Sequence, residues 1–123
     1  WYFAKMRFNA VVLEGCGYSP ISVDLPEAKE ALGRYGIELI PEIQGLGHGG
    51  PAARVPECLE VPGRTATCPS RSRTYDVVRE VVEEVVEQIS PRYVHWGCDE
   101  VRGDSHCEVA PAAGSGDDLG GHH

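Results

Sequence analysis

The sequence predicts an α/β protein built on a parallel sheet. Three short apolar stretches, residues 7–14, 37–43 and 93–96, have the length and composition of buried strands. Two stretches with helical periodicity, residues 26–35 and 74–89, lie between them. Strands that alternate with helices in this way are typical of parallel sheets with right-handed crossovers. We therefore predict a β-α-β-α-β order in one sheet.

The first strand and the first helix are bounded by turn residues. Residues 7–14 read RFNAVVLE, with β-branched residues at the centre, and Gly15 follows the last of them. Residues 26–35 read PEAKEALGRY. Pro26 suits the first position of a helix, and Gly36 suits the position just past its end, so both boundaries are predicted by sequence.

The second strand, residues 37–43, contains a proline. Pro41 has no N–H to donate to a strand ladder, so we expect it near the end of the strand. The following residues 44–69 are rich in glycine and proline and predict a long connection. Connections of this length are more often functional than short ones.

The second helix, residues 74–89, has the clearest periodicity in the chain. Glutamates cover one side of it, and branched apolar residues cover the other. Valine is a poor helix former, so packing must stabilise this helix. We expect its buried face to consist of Val78, Val81, Val82, Val85, Val86 and Ile89.

Composition limits the classes of function. The chain has 123 residues, which predicts one domain, and its formal net charge of -8 argues against a nucleic-acid-binding surface. No apolar run approaches the roughly eighteen residues that span a membrane. The five cysteines form no CxxC pair, so we expect mostly free thiols. Residues 1–103 are the expected folded part, and the small, polar residues 104–123 are expected to form a flexible glycine-rich tail.

Chemically active side chains follow each predicted strand. The carboxyl ends of parallel strands lie on one edge of the sheet, where α/β active sites form. Three pairs of residues fall on that edge: Glu14 with Cys16, Glu42 with His48, and Asp99 with Glu100.

Asp99 and Glu100 follow the third strand directly. Neighbouring residues on a strand point to opposite faces, but both can face a pocket where the strand ends. One carboxyl in an apolar site, with Trp96 as a wall, could be a general acid while the other stays ionised. The alternative is a solvated strand end. His48 could orient a carboxylate or be an exposed loop histidine, and Glu42 could be a site acid or a capping acid.

Three blocks of the chain resemble the catalytic barrel of family 20 glycoside hydrolases, the β-N-acetylhexosaminidases. They are YGIELIPEIQGLGH at residues 35–48, CPSRSRTYDVVREVVEEVVE at residues 68–87 and YVHWGCDEV at residues 93–101. KMRFNAVVLE at residues 5–14 is similar to the preceding strand of that barrel more loosely. The blocks occur in the order and spacing of the family.

The resemblance implies roles for three residues, and two more are expected from their places in the sequence. The match of Glu100 implies the general acid, and that of Asp99 implies the residue that holds and polarises the 2-acetamido group of the substrate. The acetamido oxygen is the nucleophile in this family, and configuration is retained. The match of His48 implies support of the acid, and Glu42 and Trp96 are expected to bind substrate or support the site. No metal or organic cofactor is implied.

The chain also departs from the family pattern. No histidine accompanies Glu14 and Cys16, Gln44 stands where an aspartate is frequent, and Cys98 replaces the second glycine of Gly-Gly-Asp-Glu. The three predicted strands resemble strands two to four of a TIM (β/α)8 barrel, which needs about 250 residues when complete. We therefore expect a fragment with little activity, whose open sheet edges can pair with another chain.

The resulting interpretation is a hydrolase that removes terminal N-acetylhexosamine from glycans, with no nucleic-acid or membrane partner. A non-catalytic carbohydrate-binding module or pseudoenzyme is the alternative. A small α/β module without sugar function is the third hypothesis.

Overall fold

A computed structural model describes residues 2–17, 23–45, 47–48, 50, 54–59 and 67–99. Within them the predicted β-α-β-α-β order is confirmed, with a short N-terminal helix and a 3-10 turn in addition. The elements are α1 (Tyr2–Lys5), β1 (Ala10–Leu13), α2 (Leu25–Gly33), β2 (Glu38–Gln44), a 3-10 helix (Pro56–Cys58), α3 (Ser72–Ile89) and β3 (His95–Gly97).

The three strands form one parallel sheet with β2 in the centre. β1 pairs with the first half of β2, from Ala10 opposite Glu38 to Leu13 opposite Pro41. β3 pairs with the second half, ending at Gly97 opposite Gln44. The central strand therefore pairs with both neighbours, but with a different half of its length for each.

Pro41 lies in the middle of β2, so the expectation that it would lie near the end of the strand was wrong. Its position coincides with a change of partner, because the β1 ladder stops at Pro41 and the β3 ladder starts at Glu42. A residue without an N–H is tolerated where one ladder gives way to another. Pro41 is fully buried in this position.

The main core lies between one face of β2 and the two long helices. Leu39 and Ile43 alternate on that face and pack with Leu25 of α2. From Val77 onward the buried stripe of α3 has a four-residue spacing, which excludes Val86, whose side chain is 42% exposed. The prediction for Val86 was wrong because the stripe follows one row of the helix and not two. The buried side chains of α3 are Thr74, Val77, Val81, Val85 and Ile89.

The long connection 44–69, predicted as a loop, contains local structure at its carboxyl end. Leu59 forms an antiparallel bridge with Thr67, and the amide of Cys68 donates to the carbonyl of Cys58 over 2.8 Å. The hydroxyl of Thr74 donates to the carbonyl of Cys68, also over 2.8 Å. These bonds fix the connection to the first turn of α3.

Cysteines occupy different environments. Among the four in the described part of the chain, Cys16, Cys58 and Cys98 are free thiols and Cys68 is disulfide-bonded. Burial raises the pKa of the Cys16 and Cys58 thiols, whereas Cys98 is exposed. None of the helices in the described ranges is long and apolar enough to cross a membrane.

Replacement of Ile43 by alanine should destabilise the protein by about 2–5 kcal/mol, because Ile43 is fully buried between β2 and the helices. The matched control is Val86→Ala, which removes an exposed side chain and should change the free energy of unfolding by less than about 0.5 kcal/mol. Urea denaturation measures both. Equal losses in the two variants would contradict the assigned core.

Thiol alkylation should follow exposure. The thiolate is the reactive form, so the buried Cys16, whose pKa is raised, should react with iodoacetamide at pH 8 more slowly than Cys98. Mass spectrometry of timed samples identifies the modified site. Unfolding in urea should remove the difference, and faster modification of Cys16 in the folded chain would contradict its buried position.

Candidate active site

Side chains from β2 and the segment after β3 meet at the carboxyl edge of the sheet. Glu42 and Gln44 alternate with Ile43, so they lie on the face opposite the helices. Gly97 is opposite Gln44 in the register, and Asp99 follows two residues later. The sheet is extended at this point by a bond of 2.7 Å from the amide of Gly45 to the carbonyl of Gly97.

Asp99 is held by two side chains. The Nε2 group of Gln44 donates to Oδ1 of Asp99 over 2.6 Å. Nε2 of His48 lies 3.4 Å from Oδ2. The carboxylate is otherwise open to solvent, with the Asp99 side chain 65% exposed. Both of its oxygens are thus oriented by the protein while the group remains accessible.

These contacts favour the charged form of Asp99. The hydrogen bond from Gln44 is the largest cause that lowers the pKa of its carboxyl, followed by the backbone amide of Asp99 and then by His48. Hydrogen bonds donated to a carboxylate stabilise its ionised form. Asp99 is therefore an anionic acceptor at neutral and mildly acidic pH, and it loses this character only as pH falls through its lowered pKa.

His48 reaches Asp99 from a glycine-rich turn. Its backbone is left-handed, with φ of 49°, which is uncommon for a residue other than glycine. Such conformations concentrate at functional sites, where the surrounding structure holds them in place. The turn therefore presents the imidazole to the carboxylate.

Glu42 lies beneath the site and is only 4% exposed. Its Oε2 accepts a hydrogen bond of 3.1 Å from the amide of Gly15, and its carbonyl accepts one of 3.0 Å from the amide of Cys16. Its Oε1 occupies the space beside Gly97, where a Cβ atom would lie only 1.9 Å away. The carboxylate thus links the turn after β1 to β3.

In the sequence Gln44 stands out only as a departure from the family pattern, and no local signal predicts its contact with Asp99. The residue is 5% exposed, and within the described part of the chain its buried Oε1 atom has no hydrogen-bond partner. The available signal was its place at the end of β2, level with the strand that leads to Asp99. Burial and pairing across 55 residues could not be read from that position alone.

The structure does not bring every predicted residue to this place. Trp96 pairs with Ile43 and lies across Gly45, on the face of the sheet that carries the core. This placement does not put the indole ring beside Asp99. Glu14 and Cys16 instead line a cavity of about 260 Å³ between the turn after β1 and α3. Glu100 lies outside the described residues.

The residues that the structure describes contain no group of three or more His, Cys, Asp or Glu side chains placed to hold a metal ion. The candidate site consists of side-chain oxygen and nitrogen atoms around the Asp99 carboxylate. Its chemistry is hydrogen bonding and charge at the carboxyl edge of a parallel sheet.

Replacement of Gly97 by alanine should lower stability by about 1–3 kcal/mol, because the added Cβ would overlap Oε1 of Glu42 and approach the Gln44 amide to 3.0 Å. Gly33→Ala is the matched control. No atom of the described residues lies within 4 Å of its added Cβ, so the substitution should be neutral or stabilising by up to about 1 kcal/mol. Urea denaturation measures the two. The same effect in both variants would show that position 97 is not crowded.

The comparison with known families identifies the chain. Residues 31–113 match glycosyl hydrolase family 20, catalytic domain, a domain that folds as a TIM barrel. The match covers the strand that carries Glu42 and Gln44 and the segment that carries Asp99. No curated protein matches the chain. More than half of the chain lies within the family match, and the parallel order of its strands agrees with part of such a barrel, so the chain belongs to glycosyl hydrolase family 20, a family of hexosaminidase-type glycosidases.

Proposed function

We propose that this chain carries the acetamido-binding and acid residues of a β-N-acetylhexosaminidase, which removes terminal N-acetylhexosamine from glycans. The observation that supports this most strongly is the Asp99 carboxylate, oriented by Gln44 and His48 at the carboxyl edge of the sheet. Barrel enzymes place their catalytic residues at that edge. The family match makes a glycan the class of substrate.

In the proposed reaction Asp99 accepts a hydrogen bond from the N–H of the 2-acetamido group. An ionised, oriented acceptor polarises the amide, so its carbonyl oxygen becomes a better nucleophile. That oxygen forms a bond to C1 as the glycosidic C–O bond breaks, and the proton of Glu100 passes to the leaving oxygen. An oxazoline-like intermediate results.

The second step reverses these roles. Water attacks C1 from the face that the leaving group vacated, Glu100 takes up its proton, and the acetamido group is restored. Two displacements at C1 retain the configuration. The rule that infers mechanism from the separation of two carboxylates does not apply, because the nucleophile belongs to the substrate. Adjacent acids suit this scheme, since Asp99 and Glu100 have different tasks.

His48 and Glu42 support the pair in this proposal. His48 orients Oδ2 of Asp99 directly. Glu42 is buried and acts on the backbone, through its contact with Gly15 and its place beside Gly97. Trp96 is a supporting residue through the Gly45 backbone on which it packs.

We further infer that β1, β2 and β3 correspond to strands two, three and four of the barrel. Residues 1–103 would form this part of the hydrolase and residues 104–123 a tail. Catalysis of this kind requires an enclosed site, and a barrel closes with eight strands. The described residues contain three strands, so weak turnover is expected from the 123-residue chain.

The test combines binding and turnover. An N-acetylglucosamine-derived thiazoline mimics the oxazoline-like intermediate, and we expect it to raise the melting temperature of the chain. Asp99→Asn should abolish that shift, because the anionic acceptor is lost, whereas Glu100→Gln should retain it. Glu87→Gln, on the exposed side of α3, is the control and should behave as the parent.

Turnover is followed by chromophore release from an aryl N-acetyl-β-glucosaminide. Wherever the parent chain releases chromophore, Glu100→Gln should reduce the rate by about 10²–10⁴-fold, as expected for loss of a general acid. Thiazoline binding that is retained in Glu100→Gln, with no turnover either by this chain or by a complete barrel that contains it, would favour the carbohydrate-binding alternative. A thiazoline shift that survives Asp99→Asn would contradict the assignment of Asp99.

A further inference from the structure

Gln44 is a buried amide whose hydrogen-bonding capacity is directed at one exposed carboxylate. Its side chain is 5% exposed, and its Nε2 group lies 2.6 Å from Oδ1 of Asp99. Its other polar atom, Oε1, is buried and has no hydrogen-bond partner among the residues that the structure describes. The contact with Asp99 is thus the polar interaction that the described residues give to this side chain.

The surroundings restrict the Gln44 amide to one arrangement. A Cβ atom at Gly97 would lie 3.0 Å from both Cδ and Oε1 of Gln44, so the β3 backbone packs closely against the amide. If the amide turned over, Oε1 would face an oxygen of Asp99, and two acceptors would meet without a proton between them. The NH₂ group therefore faces Asp99.

We propose that Gln44 is a positioning residue, which fixes the Asp99 carboxylate by donating to Oδ1 and so aims its remaining lone pairs at an N–H donor of the substrate. The hydrogen bond of 2.6 Å from Gln44 to Oδ1 supports the statement that Gln44 fixes the carboxylate. The statement that the remaining lone pairs face a substrate N–H rests on the proposed function, because it takes Asp99 as the acceptor of the acetamido N–H. The lowered pKa of Asp99 agrees with this assignment, since the bond from Gln44 is its largest cause.

A glutamine has a different consequence from an acid at this position. A carboxylate at position 44 would face Asp99 with a like charge, and the pair would have to share a proton. The side-chain NH₂ group of Gln44 can lie equally close to Asp99 without a proton shared between two carboxyl groups. The other titratable groups near Asp99 in the described residues include His48, in contact with Oδ2, the buried Glu42 beside Gly97, and the exposed Cys98 that precedes Asp99 in the chain. The inference therefore predicts that Gln44, and not these groups alone, keeps Asp99 ionised as pH falls.

The test is a pH titration of the Asp99 side-chain carboxyl by ¹³C NMR in the full 123-residue chain. Gln44→Met removes the donor at similar length, and we expect the pKa of Asp99 to rise toward its ordinary value. Gln44→Glu replaces the donor with an acid, and we expect a larger rise. The matched controls are Gln88→Met and Gln88→Glu on the exposed side of α3, which should leave the titration of Asp99 unchanged.

A second readout concerns orientation. Gln44→Met should weaken binding of the thiazoline by about tenfold or more, because a hydrogen bond to a charged group is lost. Gln44→Asn keeps the amide but is one methylene shorter, so it should restore neither the pKa of Asp99 nor binding. A purely structural role for Gln44 would change the melting temperature and leave both readouts as in the parent.

An unchanged Asp99 titration in a folded Gln44→Met or Gln44→Glu variant would overturn the inference. The two variants make the test robust, since the second keeps a polar side chain of the same length. A raised pKa in both, without thiazoline binding by the parent, would support the coupling of Gln44 to Asp99 and count against the proposed function. Failure of the inference about Gln44 and failure of the proposed function therefore give different results.

Discussion

The absence of a side chain at position 97 is the constraint on which the site depends. The space that a Cβ would fill beside β3 contains the Glu42 carboxylate and borders the Gln44 amide. Glu42 uses this position to hold the turn after β1, and Gln44 uses it to reach Asp99. The ends of all three strands are therefore connected through two side chains of β2. Neither arrangement could form with a larger residue at 97 unless β3 moved.

The opposite face of β2 supplies the stability that this site requires. Each residue of the α3 stripe is β-branched and a weak helix former, so the helix depends on burial against Leu39 and Ile43. The same stripe reaches the turn after β1. A Cβ at Gly17, where φ is +87°, would lie 2.3 Å from Cγ1 of Val81, so this turn needs glycine for both its backbone angle and its packing. One face of β2 thus carries the core, and the other carries the polar network.

Local sequence was enough to predict the order of strands and helices and the long helix α3. Periodicity and helix-boundary residues are local signals, and they predicted where α2 and α3 lie to within about two residues. Pro41 and Gln44 show what local signals omit. The place of Pro41 depends on where the β1 ladder stops, and the role of Gln44 depends on a partner 55 residues away. Both are properties of pairing between distant segments, which no single stretch of sequence contains.

The change of partner at Pro41 also gives the site its shape. β1 ends opposite Pro41 and β3 ends opposite Gln44, so the two outer strands stop three residues apart along β2. At about 3.3 Å per residue this is a step of roughly 10 Å along the strand direction. Such a stagger between neighbouring strands is what tilts the strands of a closed barrel. The carboxyl ends of the strands therefore lie at different levels along the strand direction. Asp99 lies at the far level and Glu14 at the near one, and the buried Glu42 reaches from the turn that follows Glu14 to the strand that leads to Asp99.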